Sequence, residues 1–162
     1  MRRFDKRKLV KLKYKSVMKR ITPFLWYDGK AQAAAKYYCS IFKNSKITTL
    51  TPMSASFSLD GQDFIALNGG PMFKFTEAVS FYVNCRTQKE IDYYWKKLGA
   101  GGRGKKCGWL KDKYGLSWQI IPSILGGLIG SDNAEKSHRA FQAMLKMTKL
   151  DIKKLKAAYA GK

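Results

Sequence analysis

Two stretches of this chain repeat one pattern. "AQAAAKYYCSIF" (31–42) and "TQKEIDYYWKKL" (87–98) align without a gap, so that Gln32, Tyr37 and Tyr38 pair with Gln88, Tyr93 and Tyr94 at one constant offset. Self-similarity at a fixed separation points to one supersecondary unit used twice. Both stretches read as helices. In the first, Ala34, Tyr37, Tyr38 and Ile41 fall on one face; in the second, Thr87 followed by Glu90 is a capping box, and glycines close the run at 99–102.

The flanking patterns agree with a duplicated βαβββ unit. "RITPFLWY" (20–27) is β-branched and aromatic, with Pro23 suited to an edge or to a strand's first residues. After the first helix (28–44) come two short β-like runs, "KITTLT" and "SASFSL", the hairpin signal Asp60–Gly61, and "QDFIALN". The second copy runs from the strand "AVSFYVN" (78–84) through the helix to a hairpin of "KKCGWLKDK" and "LSWQIIP", turning at Lys113–Tyr114–Gly115 and closed by Pro122. Beyond Ser123 the chain turns helical. The segment 131–149 opens on a serine or aspartate cap and carries Ala140, Met144 and Met147 at helical spacing, and Asp151 caps a shorter helix over 151–161. The methionines read as packing residues.

Composition bounds the function. The chain has 162 residues, 45% of them apolar and 14% aromatic, which is enough for one core or for two small halves sharing one. No run is long enough to cross a bilayer and no apolar signal core opens the chain, so the cytoplasm is the expected compartment. Cys39, Cys85 and Cys107 lack metal-ligand spacing and read as reduced thiols. A single histidine, His138, argues against a histidine metal site or a Ser-His-Asp triad.

The net charge is +21, and residues 1–20 hold ten Lys/Arg against Asp5 alone. Residues 1–19 read as a basic, flexible arm capable of weak, non-specific contact with nucleic acid through counterion release. Cys107 lies beside Lys105 and Lys106, with no neighbouring histidine to serve as its base, and reads as an incidental thiol. Asp112 and Asp151 read as turn and cap residues, and no pair of carboxylates has a spacing that demands acid–base work. "LNGGP" runs into a proline and "FKF" instead of opening a helix, so no glycine-rich cofactor loop is expected.

The segments "ITPFLWYDGKA", "FIALNGGP", "CGWLKDKYGLSWQIIP" and "AMLKMTKLDIKKLKAAYAG" together resemble the PhnB-like branch of the vicinal oxygen chelate superfamily. That superfamily holds glyoxalases, extradiol dioxygenases and bleomycin-resistance proteins, and the branch often bears the label 3-demethylubiquinone-9 3-methyltransferase. The resemblance covers roughly 20–161, with module one at 20–70, module two at 76–123 and C-terminal helices at 124–161. The turn between "KITTL" and "SASFSL" is shorter than in most relatives.

The resemblance implies an α+β fold of two tandem βαβββ modules curled into an open mixed barrel around a cleft, often completed in a homodimer. In metal-dependent relatives, four side chains on the first and last strands of the modules hold a divalent ion. Carried over one at a time, those places fall at Ile21 or Pro23, at Asn68, at Ala78 or Glu77, and at Gln119. The last sits where a D-x-x-G-x-x-x-E pattern, here Asp112–Gly115–Gln119, would end in a carboxylate. Such a set does not repay a cation's dehydration, so no metal and no cofactor is expected.

Strand alternation then gives a cleft inventory of Ser117, Gln119 and Ile121 on one wall and Ala78, Ser80 and Tyr82 on the other, with Phe64 and Asn68 from module one. Leu116, Trp118 and Ile120 pack on a helix. Trp109 either roofs the cleft or belongs to the core.

Three readings stay open on the sequence. One is a small-molecule binder holding an aromatic or oxygenated metabolite in a metal-free cleft through Phe64, Asn68, Ser80, Tyr82, Trp109, Ser117 and Gln119. Another is a superfamily enzyme (lyase, isomerase or group transfer). The third is a nucleic-acid tether acting through the arm.

Overall fold

The computed structural model describes residues 21–162; the basic arm lies outside them. The chain divides into two compact units, the first ending at Gly69 and the second running from Gly70 to Lys162. Each contains one four-stranded mixed sheet. Among the described residues no helix is long and apolar enough to cross a membrane.

In the first unit β1 (Phe24–Tyr27) leads through Gly29 into α1 (Ala31–Ile41). Strands β2 (Ser45–Leu50), β3 (Ser54–Leu59) and β4 (Gln62–Asn68) follow, in sheet order β1-β4-β3-β2. The outer strand β1 runs parallel to β4, while β2, β3 and β4 are antiparallel. The strand expected from residue 20 begins only at Phe24; Pro23 has no N–H to give a ladder, although its carbonyl accepts from Ile65 N at 3.0 Å. Asp60 and Gly61, at φ 47° and 80°, make the left-handed pair that a two-residue hairpin needs.

The helix covers one face of this sheet. Ala31, Ala34, Ala35, Tyr38 and Ile41 are buried on α1, against Ala55 and Phe57 of β3, Phe64 and Ala66 of β4, and Leu25 and Tyr27 of β1. Phe57 stacks on Phe64 with ring centroids 5.3 Å apart, and the hydroxyls of Tyr38 and Tyr27 lie 3.3 Å apart. The other face carries Phe24, Trp26, Ile65 and Leu67.

Gly69 lets the Trp26 indole lie flat past the end of β4, since a Cβ there would fall 2.2 Å from Trp26 Cζ2. Gly69→Ala must push the ring aside, and overpacking of this kind costs about 1–3 kcal/mol. Urea unfolding of the variant, followed by tryptophan fluorescence, measures that loss.

The second unit repeats the plan and adds to it. Strand β5 (Phe81–Cys85) runs parallel to β8 (Ser117–Pro122), which pairs antiparallel with β7 (Trp109–Lys111), and β6 (Arg103–Gly104) closes the order β5-β8-β7-β6. Helix α2 (Gln88–Gly99) has the capping box read from the sequence: Glu90 N donates to Thr87 Oγ1 at 3.2 Å, and Glu90 Oε2 accepts from Thr87 N. It buries Ile91 and Leu98, and the covered sheet face carries Val83, Cys85, Leu110, Trp118 and Ile120. The stretch expected to be strand at "KKC" is a 3-10 turn over Lys106–Gly108, because Cys107 and Gly108 both take positive φ, 60° and 81°.

Helices α3 (Leu125–Ile129), α4 (Ala134–Lys146) and α5 (Ile152–Ala160) complete the unit. The cap of α4 is Asn133, whose side chain accepts from Lys136 N at 3.0 Å, and not the preceding serine or aspartate. Asp151 caps α5 as expected. Arg139 donates to the Ala158 and Tyr159 carbonyls, the exposed acceptors at that helix's C-terminus.

The repeated glutamines do matching work. Gln32 donates to Thr51 O and Pro52 O and pins the β2–β3 turn. Gln88 donates to Leu150 O at 3.2 Å, accepts from Ile152 N at 2.9 Å, and pins the link between α4 and α5.

Candidate functional site

The uncovered face of the second sheet brings most of the expected site residues together. Gln119 on β8 is flanked in register by Tyr82 on β5 and Trp109 on β7. One step along, Ser117 pairs with Lys111, and Ser80, just before β5, has the same parity. Two cross-strand rows result: aromatic–amide–aromatic, and hydroxyl–hydroxyl–ammonium. Gln119 Nε2 donates to Ser80 Oγ at 2.9 Å and so joins them diagonally.

Exposure differs along these rows. Tyr82 is 59% exposed, whereas Gln119, Trp109 and Ser80 are half-buried. Partial burial raises the Tyr82 phenol above its ordinary pKa, so it keeps its proton. Ser117 is buried, and its hydroxyl has no hydrogen-bond partner. A buried hydroxyl without a partner is costly; among the described residues the Ser45 hydroxyl, at the cavity of the first unit, is in the same state.

The remaining expectations fall elsewhere. Phe64 and Asn68 are of the wrong parity for an open face: Phe64 lies under α1, stacked on Phe57. Asn68 accepts from Ala31 N at 2.8 Å and donates to Gln32 Oε1 and Pro52 O, so it fixes the start of α1 and the neighbouring turn. Ile121 shares parity with Gln119 but is buried with Leu125, Leu150 and Leu155 beneath the C-terminal helices. Ala78 is exposed ahead of β5.

Asp112 faces inward. Its Oδ1 accepts from Tyr114 N (2.8 Å) and Leu116 N (3.1 Å), and its Oδ2 accepts from Trp118 Nε1 at 2.8 Å. The residue is 4% exposed, so it organises the turn before β8 from within.

The residue the sequence did not single out is Lys111. With Lys105 it flanks Glu77, whose Oε1 accepts from both ammonium groups, from Lys111 at 2.9 Å. The hydrogen bonds from Lys105 and then Lys111 hold the Glu77 carboxyl down at about 2, against an ordinary 4.5. A folded-state value below the unfolded one contributes stability above the ordinary value and loses it as pH falls toward about 2. A 13C-detected pH titration is therefore expected to show Glu77 still ionised at pH 3.5, where an unpaired glutamate has taken up its proton. High salt should bring its midpoint back up, since the trio is partly exposed.

Neither thiol with a shifted pKa is prepared for nucleophilic work. Burial pushes the Cys85 thiol up to about 12, and burial also raises Cys39. Cys107 sits in the 3-10 turn, where its N–H donates to Met147 O.

The donor set for a divalent ion can be read from the sheet registers. The offset that superposes Gln32 on Gln88 also superposes Phe24 on Ser80 and Trp26 on Tyr82. In β4, Leu67 stands opposite Trp26 as Gln119 stands opposite Tyr82. The corresponding places on the first and last strands of each sheet are thus Phe24 and Leu67 in the first unit and Ser80 and Gln119 in the second, not Ile21 or Pro23, Asn68, and Ala78 or Glu77. Neither the two apolar residues of the first sheet nor the hydroxyl and amide of the second fit a divalent cation. Among the described residues no three His, Cys, Asp or Glu side chains gather into a metal-holding group.

The first unit holds a separate polar cavity of about 320 Å³ lined by Asn44, Ser45, Lys46, Ser58, Gly61 and Asp63. It sits at the β3–β4 hairpin end, and no aromatic ring lines it. The rows around Gln119 combine stacking surface with directed polar groups and match ligand recognition better.

Comparison with known proteins places this geometry. The family model described as 3-demethylubiquinone-9 3-methyltransferase matches residues 19–121. The PhnB protein of Bacillus cereus is 35% identical with a TM-score of 0.60, over 64% of this chain and 99% of its own. A Pseudomonas aeruginosa protein of the same fold is 16% identical with a TM-score of 0.54, over 62% and 94%. A glyoxalase/bleomycin resistance protein from Albidiferax ferrireducens is 10% identical at a TM-score of 0.45, over 62% and 95%. No curated protein matches the chain. With its two mixed sheets and a family match over most of its length, the chain belongs to the PhnB-like 3-demethylubiquinone-9 3-methyltransferase family.

Proposed function

We propose that this chain binds a planar, oxygenated small molecule on the open face of its second sheet and does so without a divalent cation. The observation that carries the reading is the row Tyr82–Gln119–Trp109, in register across three strands. Two rings supply flat apolar area at small entropic cost, and the amide between them offers both a donor and an acceptor. The bond to Ser80 keeps that amide oriented.

Methyl transfer, the chemistry in the family's description, finds no support in these residues. Gly69 and Gly70 follow β4 and lead to Pro71 and an irregular segment, not to a helix whose N-terminus would cradle a nucleotide cofactor. Other catalysis would need a poised acid, base or nucleophile on the face. Glu77 is held ionised between two lysines, and Asp112 is committed to its turn.

The experiment is to identify by native and denaturing mass spectrometry what co-purifies with the chain, then to return that compound to labelled protein. The side-chain NH signals of Gln119 and Trp109 are expected to move. Perturbation confined to Asn44–Asp63, around the cavity of the first unit, would refute the reading.

A further inference from the structure

The second row on this face says which class of molecule fits. Lys111 stands directly opposite Ser117, with Arg103 opposite Lys111 on β6. Glu77 is one carboxylate shared by two ammonium groups, Lys105 and Lys111, which leaves a surplus positive charge beside the Gln119 row. From Arg103 to Lys111 the sequence holds Arg103, Lys105, Lys106 and Lys111 and no acidic residue. The Ser117 hydroxyl, buried in that row, lacks an acceptor.

Building on the reading above, we infer that the ligand is an aryl acid: its ring lies on the Tyr82–Gln119–Trp109 row and its carboxylate meets Lys111. An acid oxygen drawn in by Lys111 is the acceptor that Ser117 lacks, and the exchange leaves Glu77 paired with Lys105. Residues two apart on a strand stand about 6.7 Å from each other, which sets the reach from ring to acid. An acid attached directly to the ring falls short, and one carried on two intervening carbons spans the rows. A charge-assisted bond at a half-buried site then separates the acid from its neutral isostere.

The test titrates wild-type protein with trans-cinnamate, trans-cinnamamide and benzoate, by calorimetry and by the side-chain NH signals of Gln119 and Trp109. Cinnamate is expected to bind about tenfold or more tightly than cinnamamide. Benzoate should be weaker than cinnamate, and raised salt should narrow the gap between acid and amide. In Lys111→Met, which keeps the length and loses the charge, the preference for the acid should shrink to about twofold or less. Equal affinity of wild type for acid and amide would overturn this inference while leaving the binding reading intact. If neither compound moves the Gln119 or Trp109 signals, the reading on which it rests falls as well.

Discussion

Asp112→Ala is expected to be the most destabilising single change in the second unit, costing about 3 kcal/mol or more. The carboxylate accepts from two backbone N–H groups and from the Trp118 indole, and it is nearly inaccessible to water. Alanine removes this acceptor from all three donors, two of them in buried bonds, and a buried donor left unsatisfied costs about 1–3 kcal/mol. The loss falls on the turn that starts β8, the strand carrying Ser117 and Gln119, so the binding face should be lost with the fold. Asp112→Asn keeps the acceptor at one position and turns an NH2 toward another donor, so it should fall between alanine and wild type. Gln119→Ala, by contrast, removes a half-buried amide and should leave the unfolding midpoint nearly unchanged. Urea denaturation of the three variants separates a residue that builds the face from one that faces the ligand.

Leu155→Ala comes next, at about 2–5 kcal/mol. Leu155 is fully buried with Ile121, Leu125 and Leu150, and Leu128, Ile129, Met144 and Met147 pack against them. This cluster joins the C-terminal helices to the end of β8, and Gln88 and the Cys107–Gly108 turn tie the same link by hydrogen bonds to its backbone. A cavity here should release α4 and α5 before the sheet opens. Hydrogen exchange should therefore show protection lost in α5 at denaturant concentrations where β8 is still closed. Loss of protection in both at once would mean that the helices and sheet unfold as one unit.

What could be read in the sequence was local chemistry. Thr87 with Glu90 and Asp60 with Gly61 carry their geometry within a few residues, and both formed as expected. The paired glutamines were visible as a repeat because each fixes a segment against the start of its helix, a constraint that survives in both copies.

Phase was harder. "QDFIALN" is apolar on both sides, Phe64 and Ala66 under the helix and Ile65 and Leu67 on the other face, so period two gives no indication of which side is open. Alternation alone therefore puts Phe64 and Asn68 on the open face, whereas the structure sets Phe64 under α1 and Asn68 at its start. In "LSWQIIP" the one amide sets the phase, and Gln119, Ser117 and Ser80 came out on the same side. The cap of α4 was ambiguous because Ser131, Asp132 and Asn133 are three successive cap formers. The Glu77–Lys111 contact had no sequence signal at all, being a pairing of surface charges far apart in the chain.

The measurement closest to the centre of this account is the metal content of the purified wild-type chain, taken together with ligand affinity before and after chelation. The apolar pair Phe24 and Leu67 in the first sheet, and Ser80 with Gln119 in the second, predict no stoichiometric divalent ion and an affinity that chelators leave unchanged. One tightly held zinc, iron or nickel ion per chain, released by Gln119→Ala and required for the ligand to bind, would contradict it.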